Sequence, residues 1–181
     1  MSKDVIIREV GRRGKGLFAA RDFKKGEIIL FNDITKLPRY TLKEIAELHK
    51  RNPKLIADHE DYVGEGKYVI DVSPESFVNH SCDPNAYVEF TEIGKKYLIA
   101  LKPIKKGEEI TKDYQLAAVD QIDNKHGWIL KCKCGAKNCR KIISGDVFKL
   151  PRKILIEKLP YVPTYIKWKY RDRFRKLKDI R

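Results

Sequence analysis

Cys132-Lys-Cys134-Gly-Ala-Lys-Asn-Cys139 sets three thiols within eight residues, and Cys82 is the one other cysteine in the chain. Thiols this close can wrap a tetrahedral ion, and closed structural zinc sites take four ligands of this kind. With Cys82 as the fourth ligand, a single zinc would pin the C-terminal third of the chain to the Cys82 loop and constrain everything between. The competing expectation is four ordinary thiols, but so dense a spacing is uncommon by chance. The N-terminus MSKDVIIREVGRRGKG lacks the apolar core of a secretory signal and no apolar run is long enough for a membrane span, which predicts an intracellular protein with no membrane partner. Inside a cell the thiols stay reduced and free for a metal.

Short β-like runs at Val5–Ile7 and Glu27–Phe31, broken by glycine and charge, predict a strand-rich N-terminal half. Thr41 with Glu44 three residues on resembles a capping box, and Leu42, Ile45, Ala46 and Leu48 share one face, so a helix begins there. Residues 58–67 read as an exposed acidic loop containing Asp58, Glu60, Asp61 and Glu65, before a strand at Tyr68–Asp71. Further strands are expected at Ala86–Phe90, Tyr97–Leu101 and Glu109–Thr111, with Pro103 and Gly107 in the turn between the last two.

The chain carries 39 Lys and Arg against 25 Asp and Glu, a net charge of +14, which favours polyanionic partners such as nucleic acid. From Pro151 to Arg181 the local balance is eleven bases to three acids. This basic extension, residues 150–181, is expected to form a unit of its own with a helix over Tyr165–Lys178. Trp168, Tyr170 and Phe174 are poor residues to leave exposed, so packing onto the domain is favoured slightly over holding a nucleic-acid-associated target.

Gly14-Lys-Gly16 gives a backbone able to approach a ligand closely. Asn79-His80-Ser81-Cys82-Asp83-Pro84-Asn85 concentrates side chains that bond locally and fix a tight loop. No nucleophile, base and orienter stand in a hydrolytic pattern.

Taken in order, Gly14-Lys-Gly16-Leu-Phe-Ala, Phe77-Val-Asn79-His80-Ser81-Cys82-Asp-Pro-Asn85, Gly107-Glu-Glu-Ile-Thr-Lys-Asp113-Tyr114 and Cys132-x-Cys134-x4-Cys139-Arg140 resemble the successive motifs of SET-domain protein lysine methyltransferases with a post-SET segment. The resemblance implies an α+β, mostly β fold of several small sheets with a knot-like crossing over residues 4–117 and a zinc-binding post-SET segment over 128–145, to which the helical basic tail is appended. It also implies that Lys15, Gly16, Asn79, His80 and Tyr114 hold S-adenosylmethionine, that Tyr114 is the catalytic residue at the mouth of a narrow channel, and that Cys82, Cys132, Cys134 and Cys139 hold one structural zinc. The substrate is then a lysine-bearing protein, histone, ribosomal or other, in the cytoplasm or on chromatin. The alternative is a non-catalytic, zinc-stapled basic module that binds nucleic acid. The chain departs from the family pattern at Lys112, where many members carry an aromatic residue, at Ser76 in place of an arginine, and at Lys141 in place of a glycine. The neighbourhood of Phe31 also lacks the second channel tyrosine that is common there.

Overall fold

A computed structural model describes residues 3–11, 14–92, 94–124 and 127–179, leaving aside the side chains of residues 58, 178 and 179. In chain order come β1 (Val5–Glu9), β2 (Lys15–Ala19), β3 (Ile28–Asp33), β4 (Tyr40–Thr41), α1 (Leu42–Arg51), α2 (Pro53–His59), β5 (Glu60–Tyr62), β6 (Lys67–Ile70), β7 (Asn79–His80), β8 (Ala86–Glu89) and β9 (Lys95–Ala100). Then follow β10 (Glu109–Lys112), α3 (Tyr114–Ala117), α4 (Asp120–Asn124), β11 (Ile129–Lys131), β12 (Ile142–Ser144), α5 (Arg152–Lys158), α6 (Thr164–Lys169) and α7 (Arg171–Asp179).

The strands form four small sheets, ordered β1-β2-β10-β7, β3-β9-β8, β4-β6-β5 and β11-β12. In the first sheet β10 runs antiparallel to β2 and parallel to β7, so the Asn79–His80 strand and the strand leading to Tyr114 lie side by side. Leu17 of β2, Ile110 of β10 and Leu98 of β9 are completely buried in one core that serves both larger sheets. Each such side chain contributes about 1.5–3 kcal/mol relative to exposure.

The capping box forms as the sequence predicts: the Glu44 N–H donates to Thr41 Oγ1 at 3.3 Å, and the Thr41 N–H donates to Glu44 Oε2 at 2.7 Å. The expected loop at 58–67 does not span that range. Its first residues finish α2 and form β5, paired Glu60↔Ile70 and Tyr62↔Tyr68, because Tyr62 gains an aromatic neighbour in Tyr68 with ring centroids 5.2 Å apart. Only the Gly64–Gly66 turn remains of it, and the side chain of Asp58 lies outside the described residues. Helix α2 went unpredicted, although Asn52-Pro53 carries its signal: Asn52 Oδ1 caps Leu55 N–H and Pro53 occupies the first turn.

The expected tail helix is two helices, α6 and α7, broken at Tyr170, with α5 before them. Leu155, Val162, Ile166 and Phe174 join the same core cluster as Leu17 and Ile110. Trp168 departs from expectation at 64% exposed, because it lies two positions, or about 200° of helix, from the inward-facing Ile166. Residues 180 and 181 lie outside the described residues. Among the described residues no helix is long and apolar enough to cross a membrane.

Candidate active site

The Asn79–Asn85 string works as a clamp on β10. At one end Asn79 Nδ2 donates to the Lys15 carbonyl at 3.1 Å and to Glu109 Oε1 at 2.8 Å, tying β7 to β2 and β10 at once. At the other end Asn85 takes the Thr111 N–H on its Oδ1 and gives its Nδ2–H to the Glu109 carbonyl, both at 2.8 Å. Gly16 fits beneath Asn79 because it has no Cβ: a Cβ there would stand 2.9 Å from both Asn79 Nδ2 and Glu109 Oε1. That contact explains the second glycine of Gly14-Lys-Gly16 in steric terms.

Strand β10 delivers Asp113 as the cap of α3, its carboxylate accepting the Gln115 N–H at 3.3 Å, and so Tyr114 opens the helix. The Tyr114 hydroxyl donates to the Val78 carbonyl at 2.9 Å, which fixes the phenol against the residue preceding Asn79. His80 lies behind it, with ring centroids 5.3 Å apart, and Trp128 meets Tyr114 edge-on at 6.4 Å.

His80 Nδ1 accepts the Tyr114 backbone N–H at 3.2 Å, so the ring proton sits on Nε2 and points to Cys82 Sγ at 3.3 Å. Burial holds this imidazole neutral, pushing its pKa down to about 4 against the pull of Asp113. One histidine thereby joins the phenol's backbone to the cysteine cluster.

Ligand atoms of His80, Cys82, Cys132 and Cys134 all lie within 4.8 Å of one another. Cys139 belongs to the same nest, interacting with Cys132 and Cys134 and donating its thiol to the Cys132 carbonyl at 3.6 Å. Backbone N–H groups are aimed at the sulfurs, Cys82 N–H at Cys134 Sγ and Arg140 N–H at Cys82 Sγ, each at 3.4 Å. Burial works against ionising Cys134, yet N–H donation from Cys82 and Ala136 brings its thiol down to about 6. Sulfurs that converge under N–H donors fit a thiolate-rich site for zinc, and His80 stands among the groups placed to hold an ion there. Lys141, at the family's glycine position, adopts φ 65°, a left-handed conformation that strains a side-chain-bearing residue, and its carbonyl accepts the Cys132 N–H at 2.7 Å.

A cavity of about 920 Å³ runs past these elements. Lys15, Asn79 and Tyr114 line it, together with Trp128, Lys112 and Asp61, whereas Gly16 and His80 are not among its lining residues. Sequence reasoning did not single out Val78, whose functional atom is a carbonyl and leaves no mark in the side-chain pattern. It also did not single out the pairing of Arg140 with Asp113 or of Lys112 with Glu75. Adjacency to Cys139 and Tyr114 was the available signal for the first.

The chain spans 3% and 2% of two relatives to which it is similar. One is histone-lysine N-methyltransferase trithorax of Drosophila virilis, 32% identical over 146 residues and 72% of this chain; the other is histone-lysine N-methyltransferase 2D of Homo sapiens, 33% identical over 140 residues and 71% of this chain. Histone-lysine N-methyltransferase Su(var)3-9 of Drosophila melanogaster is 27% identical over 155 residues, which cover 77% of this chain and 24% of that one. A chain from a structure of apo ctPRC2 with substitutions in Ezh2 shares the fold, with a TM-score of 0.52 at 22% identity over 63% of this chain and 15% of that chain. The SET domain family model matches residues 14–115, from the glycine turn to the residue after Tyr114. Since that match takes in β2, the Asn79–Asn85 clamp and the β10–Tyr114 junction, the chain belongs to the SET domain family.

Proposed function

We propose that the chain is a protein lysine methyltransferase that takes its methyl group from S-adenosylmethionine and carries one structural zinc on Cys82, Cys132, Cys134 and Cys139. The observation that carries the reading is the fixed Tyr114 hydroxyl on the wall of a cavity it shares with Lys15 and Asn79. The names of the relatives as histone-lysine methyltransferases support it.

When bound, S-adenosylmethionine would supply an electrophilic methyl on a sulfonium. Lys15, Asn79 and Tyr114 would hold it from the cavity wall, with Gly16 and His80 supporting them from behind, and the absence of a Cβ at Gly16 keeps that backbone close to Asn79. The protein's own work is then positional. Tyr114, anchored through Val78, presents its phenol oxygen to an incoming amine and aligns the lone pair, and such alignment can contribute roughly 7–11 kcal/mol. Trp128 and Phe90 on the cavity wall exclude water and favour the neutral amine over the ammonium. The zinc nest acts at a distance, through His80 to the Tyr114 backbone.

A histone or another nucleic-acid-associated protein inside the cell is the target class that fits the relatives' names and the net charge of +14. The exposed Arg171, Arg173, Arg175 and Lys176 of α7 offer a basic face by which nucleic acid could hold such a target nearby.

Incubation with methyl-labelled S-adenosylmethionine and core histones tests the reading. Label should appear on lysine with the parent chain, and Tyr114→Phe should lower turnover by roughly 10²-fold while cofactor affinity stays close to that of the parent. Equal turnover in the two chains would refute the role of Tyr114.

A further inference from the structure

Lys112 closes β10 two residues before Tyr114, and its side chain lines the same cavity. Its Nζ stands 5.7 Å from the centre of the Tyr114 ring and is paired with Glu75, from the turn Pro74–Phe77. The pair is secluded, with the Lys112 side chain 18% exposed and that of Glu75 1%. Glu75 has acidic company, since carboxylate oxygens of Asp61 and Asp71 lie within 4.8 Å of its own. Asp61 of β5 is paired with Lys96 of β9. Asp71 accepts Asn32 Nδ2–H at 2.7 Å and the Ser73 N–H at 2.8 Å. Lys15, His49, Lys54, His59, Glu60 and Asp120 are the other charged or titratable groups on the cavity wall besides its tyrosines.

Lys112 is the cation paired with Glu75, and without it that carboxylate would be left unbalanced in the cavity that Tyr114 lines. A free carboxylate in that place is the wrong neighbour for a nucleophilic amine. It would hold an entering lysine as its ammonium ion, whose nitrogen has no lone pair to give.

We propose that Lys112 is the counter-charge of the acceptor channel: it cancels Glu75, so that a substrate lysine entering beside Tyr114 does not meet that carboxylate unpaired and can give up its proton. This rests on the methyl-transfer reading above and assigns a role to a side chain which that reading does not use. In the transfer itself the amine nitrogen bonds to the methyl carbon as the carbon–sulfur bond breaks. The electron pair goes to sulfur, and the amine's proton has already left to solvent.

The pH profile of kcat, which reports ionisations in the enzyme–substrate complex, reads this out. The assay uses core histones with saturating S-adenosylmethionine. Lys112→Met should move the acidic limb up by about one pH unit or more, the size expected for one unbalanced charge within about 4–6 Å. Glu75→Gln should move it down, the double variant should return it close to the parent, and Lys112→Arg should leave it in place. If Lys112→Met does not fold, the downward shift in Glu75→Gln carries the test alone. Rates that fall in both single variants over an unmoved limb would overturn the assignment and leave methyl transfer standing. No transfer by the parent would overturn both.

Discussion

Arg140 grips Asp113 with both terminal guanidinium nitrogens, at 2.6 and 2.7 Å, and the two side chains are only 7% and 0% exposed. Arg140 follows Cys139 and Asp113 precedes Tyr114, so this fork joins the cysteine nest to the start of α3. Lys158 of α5 adds a second cation 3.4 Å from the same carboxylate.

Asp113→Ala should therefore cost about 3–5 kcal/mol, because removing the shared carboxylate strands two cations in a buried place. Arg140→Lys should cost less, since it keeps the charge and loses only the planar fork. Denaturant unfolding of the three chains measures this, and a loss below about 1 kcal/mol in Asp113→Ala would show that water relieves the stranded charges.

Metal analysis of protein purified without chelator should find one zinc per chain. Stripping that metal, or Cys134→Ser, should lower the thermal midpoint and weaken S-adenosylmethionine binding together, because the Cys82 sulfur is bonded by His80, which also holds the Tyr114 backbone. Loss of stability with unchanged cofactor affinity would sever that link.

The sequence made the family motifs more legible than the packing. Asn79, His80, Cys82 and Tyr114 stand out through the order of motifs that resembles the SET domain family, and the capping box at Thr41 is a local device that distance along the chain cannot disturb. The strand at Glu60–Tyr62 was hidden because its acidic residues look solvated, while they pair with β6 across the short Gly64–Gly66 turn and with the remote Lys96. The break at Tyr170 and the outward turn of Trp168 were hidden for a related reason. The helical stripe was weak, and the surface it packs on combines Phe148 with strands more than 50 residues away.

Asp120 offers a pH test of the fold. Burial raises its carboxyl from an ordinary 3.8 to about 6, opposed by bonds from its own backbone and from Trp128. The folded state therefore binds this proton more tightly than the unfolded state does. Its contribution is fully present below about pH 4, is lost as the pH rises toward 6, and leaves a penalty of about 2–3 kcal/mol above that. Asp120→Asn should then be more stable than the parent at pH 8, with the gap closing by pH 4. A gap that does not change over this range would show that the carboxylate is solvated.

The C-terminal helices should prove inseparable from the domain. Leu155 of α5, Ile166 of α6 and Phe174 of α7 are buried in the core that holds Leu17 and Ile110, and Asp123 of α4 binds the tail through Lys169 Nζ at 2.7 Å and through the Tyr170 hydroxyl. Leu155→Ala should cost about 2–5 kcal/mol, whereas Trp168→Ala, at an exposed position, should cost less than about 1 kcal/mol. Ending the chain at Leu150 removes all three of these residues, uncovers the core around Leu17 and Ile110 and should unfold the chain, so truncation cannot by itself test whether the tail also docks on nucleic acid. Charge reversal can, because Arg171 and Arg175 point to solvent and can be replaced by Glu with the core intact. If α7 docks on DNA, the parent's affinity should fall steeply between roughly 50 and 200 mM salt and the reversed variant should lose most of both affinity and slope. Equal binding by the two chains, measured with a labelled duplex, would leave α7 a purely structural element whose bases only keep it soluble.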